Sequence, residues 1–511
     1  MVLKNNSRWW VLFSLSLGLM AVSLDTTVLN VALPTLAVEL QASTSQLQWI
    51  LDAYNLILAV LLLPAGMLGD RYGRKKLLLG ALLLFGAASA ACAASGTAGM
   101  LIGMRAFLGI GAAFLIPLSI SVLPVLFKGE ERTRAMMIWM TVNMLGIPLG
   151  PLVGGYLLKH YHWSSVFLIN LPLIAIALTA VALLMPESHS EHRPKLDLGG
   201  IILSSSGLGA ITYGFIRSGE QGWGDSAAWL AIAAGILLLI GLFLWERRAA
   251  EPLVDFSMFR SRSFTWGTLL ATGVTFSMFG LLFGLPQFFQ AVKGTDAFGT
   301  GLRLLPLIGG TLAGAKISEL FIPRLGGKAV ISAGFVLLGA GLALGTGTGL
   351  DTGFGYIAVW TVIAGAGLGF ALPTAMDMAL GELTEAKSGI GSALVMATRQ
   401  VGASISVALL GSALNAVYRG NLTLGGLPDG AAQTIRKSAA AGTAAAVKLG
   451  SPEVLAMIRS AYIHGMEMLL WICAGSALVC LFLGLFFLPR GLIAAASNTT
   501  GGTRASDSTP S

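Results

Sequence analysis

The chain has 511 residues; 55% are hydrophobic, 11% are charged, and the mean hydropathy is +0.79. An average soluble domain carries roughly 25% charged residues, so a water-soluble protein is excluded and the bilayer must act as solvent for much of the surface. The net charge of +8 does not point to nucleic acid, because Lys and Arg fall in short loops between apolar runs, the distribution expected of a membrane protein.

A membrane helix needs about 20 mostly apolar residues. On that rule the chain divides into fourteen spans, at 9–32, 47–69, 76–95, 98–121, 134–158, 163–185, 197–217, 227–247, 263–286, 299–322, 328–348, 353–380, 388–414 and 464–488. Lys4 and Arg8 before the first run resemble the start of a signal peptide. The run continues to Ala32 with no cleavage site, so it reads as a span. The three cysteines, Cys92, Cys473 and Cys480, lie inside apolar runs and read as small core residues rather than a disulfide framework or metal set.

With the N-terminus placed in the cytoplasm, the inner loops collect most of the Lys and Arg, among them Arg71, Arg74, Lys75, Lys76, Lys128, Arg132 and Arg134. The short outer loops hold only Lys159, Arg217, Lys293 and Arg303. Both termini are therefore expected inside, which requires an even number of spans.

The chain also echoes itself. RYGRK, Arg71 to Lys75, follows span 2, and RLGGK, Arg324 to Lys328, follows span 10, so Arg, Gly and Lys recur at an offset of 253 residues. Transporters are often built from repeated halves with the cargo site between them. The expected organisation is an N-terminal segment at 1–8, a six-helix bundle at 9–185, and an inserted helix pair with its flanking loops at 186–262. A second six-helix bundle follows at 263–490, containing a long extracytoplasmic loop at about 417–462, and a polar disordered tail ends the chain at 491–511. The Ala-rich part of the long loop reads as either helical or mobile.

A charge in the bilayer core costs at least a few kcal/mol and so marks a candidate site. Asp25 lies in span 1, Asp52 in span 2 and Arg105 in span 4. At 1.5 Å rise per residue all three lie roughly 8–10 Å below the outer face. Two carboxylates and a guanidinium in one layer suit a proton-coupled cation site: burial favours the protonated carboxyl and a nearby guanidinium the ionised one. A fixed Asp–Arg pair locking two helices is the structural alternative. In the second half, Lys316 and Glu319 of span 10 are three apart and can pair. Asp377 of span 12 lies about one turn from the inner face, Arg399 of span 13 lies deeper, and Glu467 sits near the outer end of span 14. These five are secondary candidates.

Several strings resemble a known family. GMLGDRYGRKKLL, with Gly66, Asp70, Arg71, Gly73, Arg74 and Lys75, resembles the loop signature between spans 2 and 3 of the major facilitator superfamily. GIPLGPLVGG, with Gly146, Pro148, Gly150, Pro151, Gly154 and Gly155, resembles the span-5 signature of its antiporters. LDTTVLNVALP, WILDAYNL, WSSVFLINLP, PLVDFSMFRSRSF and ATRQVG resemble the fourteen-span drug:proton antiporter family, with QacA-like and SmvA-like quaternary-ammonium exporters as the nearest subgroup. The resemblance covers about residues 9–490. It implies an all-α major facilitator fold of two six-helix halves plus an inserted pair, about fourteen transmembrane helices in all. It further implies a bacterial inner-membrane exporter that exchanges lipophilic cations for protons by alternating access, with a gating role for the Asp70 loop and a tightly packed span 5.

The sequence departs from that pattern in two places. Leu108 stands where the family's span-4 signature has Gln, and Thr311 stands near the position of a span-10 Asp. Lys316, further along span 10, argues against export of divalent cations. The expected partners are lipophilic cations, protons and the bilayer, with no nucleic acid, cofactor or metal. Export of an endogenous antibiotic, siderophore or other metabolite is the alternative within transport, and a non-transporting membrane sensor the alternative from another class. A membrane enzyme is poorly supported: the histidines form no HExxH and the chain has no phosphate-binding GxxxxGK[ST].

Overall fold

A computed structural model describes residues 5–42, 44–188, 197–248, 256–381, 383, 388–424, 428–437 and 439–489. In a bilayer every backbone polar group must be satisfied within its own segment, so apolar runs of this length fold as helices. The first are α1 (Asn5–Glu39), α2 (Thr44–Tyr72), α3 (Arg74–Ala93), α4 (Ala98–Leu126) and α5 (Glu130–His160). Span 6 is a short helix, α6 (Ser165–Leu168), running into α7 (Asn170–Leu184). The inserted pair is α8 (Leu198–Gln221) and α9 (Ser226–Glu246), followed by a 3-10 turn at Phe256–Arg260. The second half comprises α10 (Arg262–Gln287), α11 (Ala297–Gly345), α12 (Phe354–Gly381), α13 (Ser388–Gly420), α14 (Asp429–Lys437), α15 (Ala439–Leu449) and α16 (Pro452–Phe487). One turn of π-helix, Phe288–Val292, extends α10.

Among the described residues, twelve helical segments are long and apolar enough to cross a membrane. One of them, Phe298–Gly345, is two helices joined at Gly326, whose φ of 79° and ψ of 155° break the helical path. With that division, and with the 31-residue α5, the expected fourteen crossings are accounted for. Polar residues at the loops start the helices: Thr97, Asp225, Ser261, Asp296 and Ser451 each accept a backbone N–H of the following first turn. At the start of α9, Arg217 hydrogen-bonds Asp225 and holds its carboxyl below the usual carboxylate range.

The long loop differs from expectation. α13 continues to Gly420 and α16 begins at Pro452, twelve residues before the expected span, so the stretch between these two long helices is shorter than the expected loop and mostly helical. Its two short helices are tied down: the Tyr418 hydroxyl donates to the Ile435 carbonyl, and Thr443 lies 3.5 Å from the Ala291 carbonyl. The tail beyond 490 lies outside the described residues, as does most of the linker before the inserted pair.

The echo between halves is a structural repeat. Gly73, with φ of 107°, turns the chain between α2 and α3, and Gly326 does the same between the two parts of α11. A side chain would be strained in either conformation. Lys75 Nζ donates to the Ala182 carbonyl at the end of α7 (2.8 Å), and Lys328 Nζ donates to the Leu488 carbonyl at the end of α16 (3.0 Å). In each half a cation thus meets the negative end of that half's last helix.

Candidate functional site

Helices α1 and α4 are joined at depth by an ion pair. Arg105 Nη1 donates to Asp25 Oδ2, and both residues are sealed from the surface, at 1% and 0% exposure. The guanidinium also donates from Nε to the Ile50 carbonyl (3.0 Å) and lies 4.5 Å from the centre of the Tyr54 ring. α2 therefore offers two neutral contacts to a cation whose charge is matched by α1. Close approach of α4 to α2 depends on Gly109, where a Cβ would lie 2.7 Å from the Tyr54 carbonyl.

The other carboxylate oxygen of Asp25 faces Asn170 at the start of α7, with Nδ2 at 3.4 Å. The same amide donates to Ser89 Oγ of α3 (3.1 Å), and Ser89 donates to the Phe167 carbonyl (2.8 Å). Asp25 thus sits at the junction of α1, α3, α4 and α7, with α2 closing the far side of Arg105. The sequence reading placed Asp25 and Arg105 at one depth, and the structure brings them into contact. It did not find Asn170, Ser89 or Tyr54. Asn170 was within reach as the polar residue of the FLINLP string at a helix start; a lone Ser or Tyr in an apolar run carries no such signal.

Asp52 is half-buried on α2. Two residues along a helix is a rotation of about 200°, so with Tyr54 turned to Arg105, Asp52 projects from another side of α2. Asp25 and Arg105 form an ion pair, and Asp52 lies along α2 between Ile50 and Tyr54, the two residues of that helix that contact Arg105.

The span-5 glycines lie along α1. A Cβ at Gly146 would stand 2.5 Å from the Ser23 Cβ, one at Gly150 would overlap the Thr27 hydroxyl, and one at Gly154 would come within 2.6 Å of a Val28 methyl. Ser23 Oγ also donates to Asn143 Oδ1 of α5 (2.6 Å). Gly146, Gly150 and Gly154 recur every four residues on one face, which lets two helix backbones meet closely. Pro151 is buried in the same helix and Gly155 half-buried; the Pro148 side chain lies outside the described residues.

At the loop end of the bundle, Asp70 and Arg74 are both 1% exposed and paired, with Nη2 at 2.7 Å and Nε at 3.1 Å from Oδ1. Gly66 lies one turn before Asp70 on α2, and Arg71 lies over the Tyr72 ring at 5.4 Å. The loop is clasped by the segment after α7: Glu187 Oε1 accepts the Lys75 N–H (3.1 Å) and the Ser188 carbonyl accepts the Arg74 N–H (2.8 Å). A carboxylate at a helix N-terminus is favourable, and a Cβ at Gly73 would be 2.7 Å from that oxygen. The sequence reading missed Glu187.

At this same end the two halves touch. Arg132, in the first turn of α5, donates to the Leu380 carbonyl at 2.5 Å and to the Gly381 carbonyl at 3.4 Å, at the end of α12. Asp377, one turn earlier on α12, is near enough for its charge to act on Arg132. Ser392 of α13 adds a contact to the Pro117 carbonyl of α4 (3.4 Å). Asp377 therefore belongs to a contact between halves.

The remaining second-half candidates do not assemble. Lys316 and Glu319 pair at 2.7 Å, but the Lys316 side chain is 68% exposed. It shares an outward stripe of α11 with Ile317, Leu320 and Phe321, all exposed. Lys316 and Glu319 thus form the pair expected from their spacing, on an exposed face of α11. Glu467 is half-buried on α16, with no ion pair found among the described residues. Arg399 is half-buried on α13, with its Nε donating to Thr275 Oγ1 (2.9 Å).

Residues 15–407 match the sequence pattern described as Major Facilitator Superfamily. The chain belongs to that superfamily. It is 34% identical to the tetracenomycin C resistance and export protein of Streptomyces glaucescens, over 79% of this chain and 75% of that protein. It is 30% identical to the methyl viologen resistance protein SmvA of Salmonella typhimurium, over 94% of this chain and 98% of that protein. Against the multidrug efflux pump LfrA of Mycolicibacterium smegmatis the identity is 31%, over 89% and 90% of the two chains. The fold is similar to that of a bacterial homolog of the human lysosomal transporter Spinster, solved in an inward-facing, unoccupied conformation. That match has a TM-score of 0.61 at 17% identity, over 96% of this chain and 100% of that one. These relatives are resistance and export proteins, and this chain is a multi-pass member of a transporter superfamily rather than of an enzyme family.

Proposed function

We propose that this chain exports lipophilic, cationic drugs or antiseptics in exchange for protons by alternating access. It would sit in the bacterial cytoplasmic membrane with both termini inside, the orientation favoured by its basic loops. The observation that carries the reading is the sealed Asp25–Arg105 pair within a drug-exporter relationship. A proton on Asp25 cancels the pair and releases the guanidinium to its neutral contacts on α2, so protonation changes what ties α1 to α4. Asp52, half-buried on α2, supplies counter-charge for a cationic cargo. The direct test is a cargo-induced pH change in proteoliposomes across a panel of cations. If no compound moves protons, the antiport reading fails.

Protons and cargo then compete. The apparent affinity of purified protein for tetraphenylphosphonium is expected to rise with pH between about 5.5 and 8.5, the range into which burial lifts carboxyl groups in general. Asp52→Asn is expected to flatten that rise. A flat profile in the unsubstituted protein would place coupling elsewhere, with Glu319, Asp377 or Glu467 next to be tested.

The Asp70–Arg74 pair belongs to the gate in this reading. Asp70→Asn or Arg74→Ala is expected to slow turnover while leaving equilibrium cargo binding within a few-fold. Loss of binding in a folded variant would refute the gating role.

A second reading, export of an endogenous antibiotic, is favoured by the relatives themselves. One is named for tetracenomycin C export and another, 30% identical, as a probable actinorhodin transporter.

A further inference from the structure

The second half holds a cation that the coupling scheme leaves unused. Arg399 lies eleven residues into α13, about 17 Å from the start of that helix, which places it near the middle of a hydrocarbon core about 30 Å thick. A guanidinium at such depth normally finds an acid, as Arg105 does in Asp25. Among the described residues Arg399 finds none. Its Nε donates to the Thr275 hydroxyl, and Nη1 faces only two thioether sulfurs, Met396 at 3.5 Å and Met376 at 3.9 Å. Thioethers are weak acceptors, and no hydrogen-bond partner for Nη2 is found among the described residues.

The surroundings show where this cation looks. On its face of α13 the residues one and two turns away, Ser392, Val395, Met396, Ala403 and Ser406, are all buried. Arg399 itself keeps accessible surface. Space beside a residue whose whole helix face is covered is internal space, not lipid. Arg399 is bordered by α10, α12 and α13, and the two methionines beside it are buried, with flexible, polarisable side chains that can re-pack around different apolar shapes when a molecule reaches the guanidinium.

We infer that Arg399 anchors the cargo in the second half by binding an anionic or hydrogen-bond-accepting oxygen, such as a carboxylate, phenolate or carbonyl. The inference rests on the exporter reading and narrows its cargo. A molecule held here offers an electron-rich group to Arg399 and an apolar body to the methionines, while any positive group faces the carboxylates of the first half. A compound with positive charge at both ends is disfavoured by Arg399, a role that Lys316, on the outer stripe of α11, is not placed to play.

The test compares two xanthene dyes of similar shape on the full-length purified protein, by fluorescence anisotropy. Fluorescein carries a free carboxylate and phenolate; rhodamine 6G is a cation with its carboxyl esterified. Arg399→Gln is expected to lower the affinity for fluorescein relative to rhodamine 6G by at least about tenfold, the scale of one charge-assisted hydrogen bond. Arg399→Lys, which keeps the charge, is expected to recover part of that ratio. Equal losses for both dyes would make Arg399 a structural residue and overturn the inference. So would an unchanged ratio, or failure of the unsubstituted protein to bind fluorescein. Proton-driven uptake of rhodamine 6G into proteoliposomes is scored separately: its absence refutes the exporter reading, whereas uptake with an unchanged dye ratio refutes only the role of Arg399.

Discussion

Asp25→Asn is expected to abolish pH-driven cargo movement in proteoliposomes while the protein still inserts in the membrane. Asparagine keeps the shape and one acceptor oxygen but cannot hold a charge or release a proton, so the tie between α1 and α4 no longer responds to pH. The substitution also leaves Arg105 buried without its counter-charge, which costs about 3–5 kcal/mol when a buried pair loses one partner. A lower melting temperature is therefore expected, and it must be separated from lost coupling. The double variant Asp25→Asn/Arg105→Gln removes both charges and is expected to recover most of the stability and none of the proton-driven transport. Wild-type rates in the purified single variant, or recovered transport in the double variant, would remove Asp25 from the proton path.

The second large effect is steric. Gly150→Ala is expected to make vesicles leak protons without cargo, or to prevent stable folding. The added methyl overlaps the Thr27 hydroxyl on α1, within one turn of Asp25, and a helix backbone cannot yield locally. Overpacking a tight contact costs about 1–3 kcal/mol, and the outcome that relieves it is separation of α1 from α5. Gly80→Ala on α3 is the control: among the described residues no neighbouring element comes within 4 Å of its would-be Cβ, and alanine is the better helix former. Equal behaviour of the two variants would mean that the α1–α5 contact seals nothing.

The long apolar helices were legible in the sequence, and so was the common level of Asp25 and Arg105, because both follow from length and rise per residue. Direction around the helix was not. In a soluble protein the polar face of a helix reveals its buried face; in a bilayer the lipid face and the core face are both apolar, so the pattern is silent. Asp25 and Arg105 were correctly assigned one layer and happen to face each other. Asp52 is two residues from Tyr54 and so projects from another side of α2. Lys316 has a plausible depth and looks outward. Partners far apart in the chain were equally hidden: Asn170 is 145 residues from Asp25, and Glu187 is 112 from Lys75. The repeated Arg-Gly-Lys string, slight evidence as text, became firm once Gly73 and Gly326 proved to share a left-handed turn.

That repeat provides an experiment already performed within one molecule. The two loops have solved the same construction problem, reversing a chain between two helices at a membrane surface, and what they share is a minimal recipe: a glycine with positive φ and a lysine tied to the end of a distant helix. At the places equivalent to Asp70 and Arg74 the second loop has Pro323 and Gly327. It folds without the ion pair. The pair in the first loop is therefore an addition to the recipe rather than part of it, and a search for relatives that have lost transport while keeping their architecture should look first at positions 70 and 74.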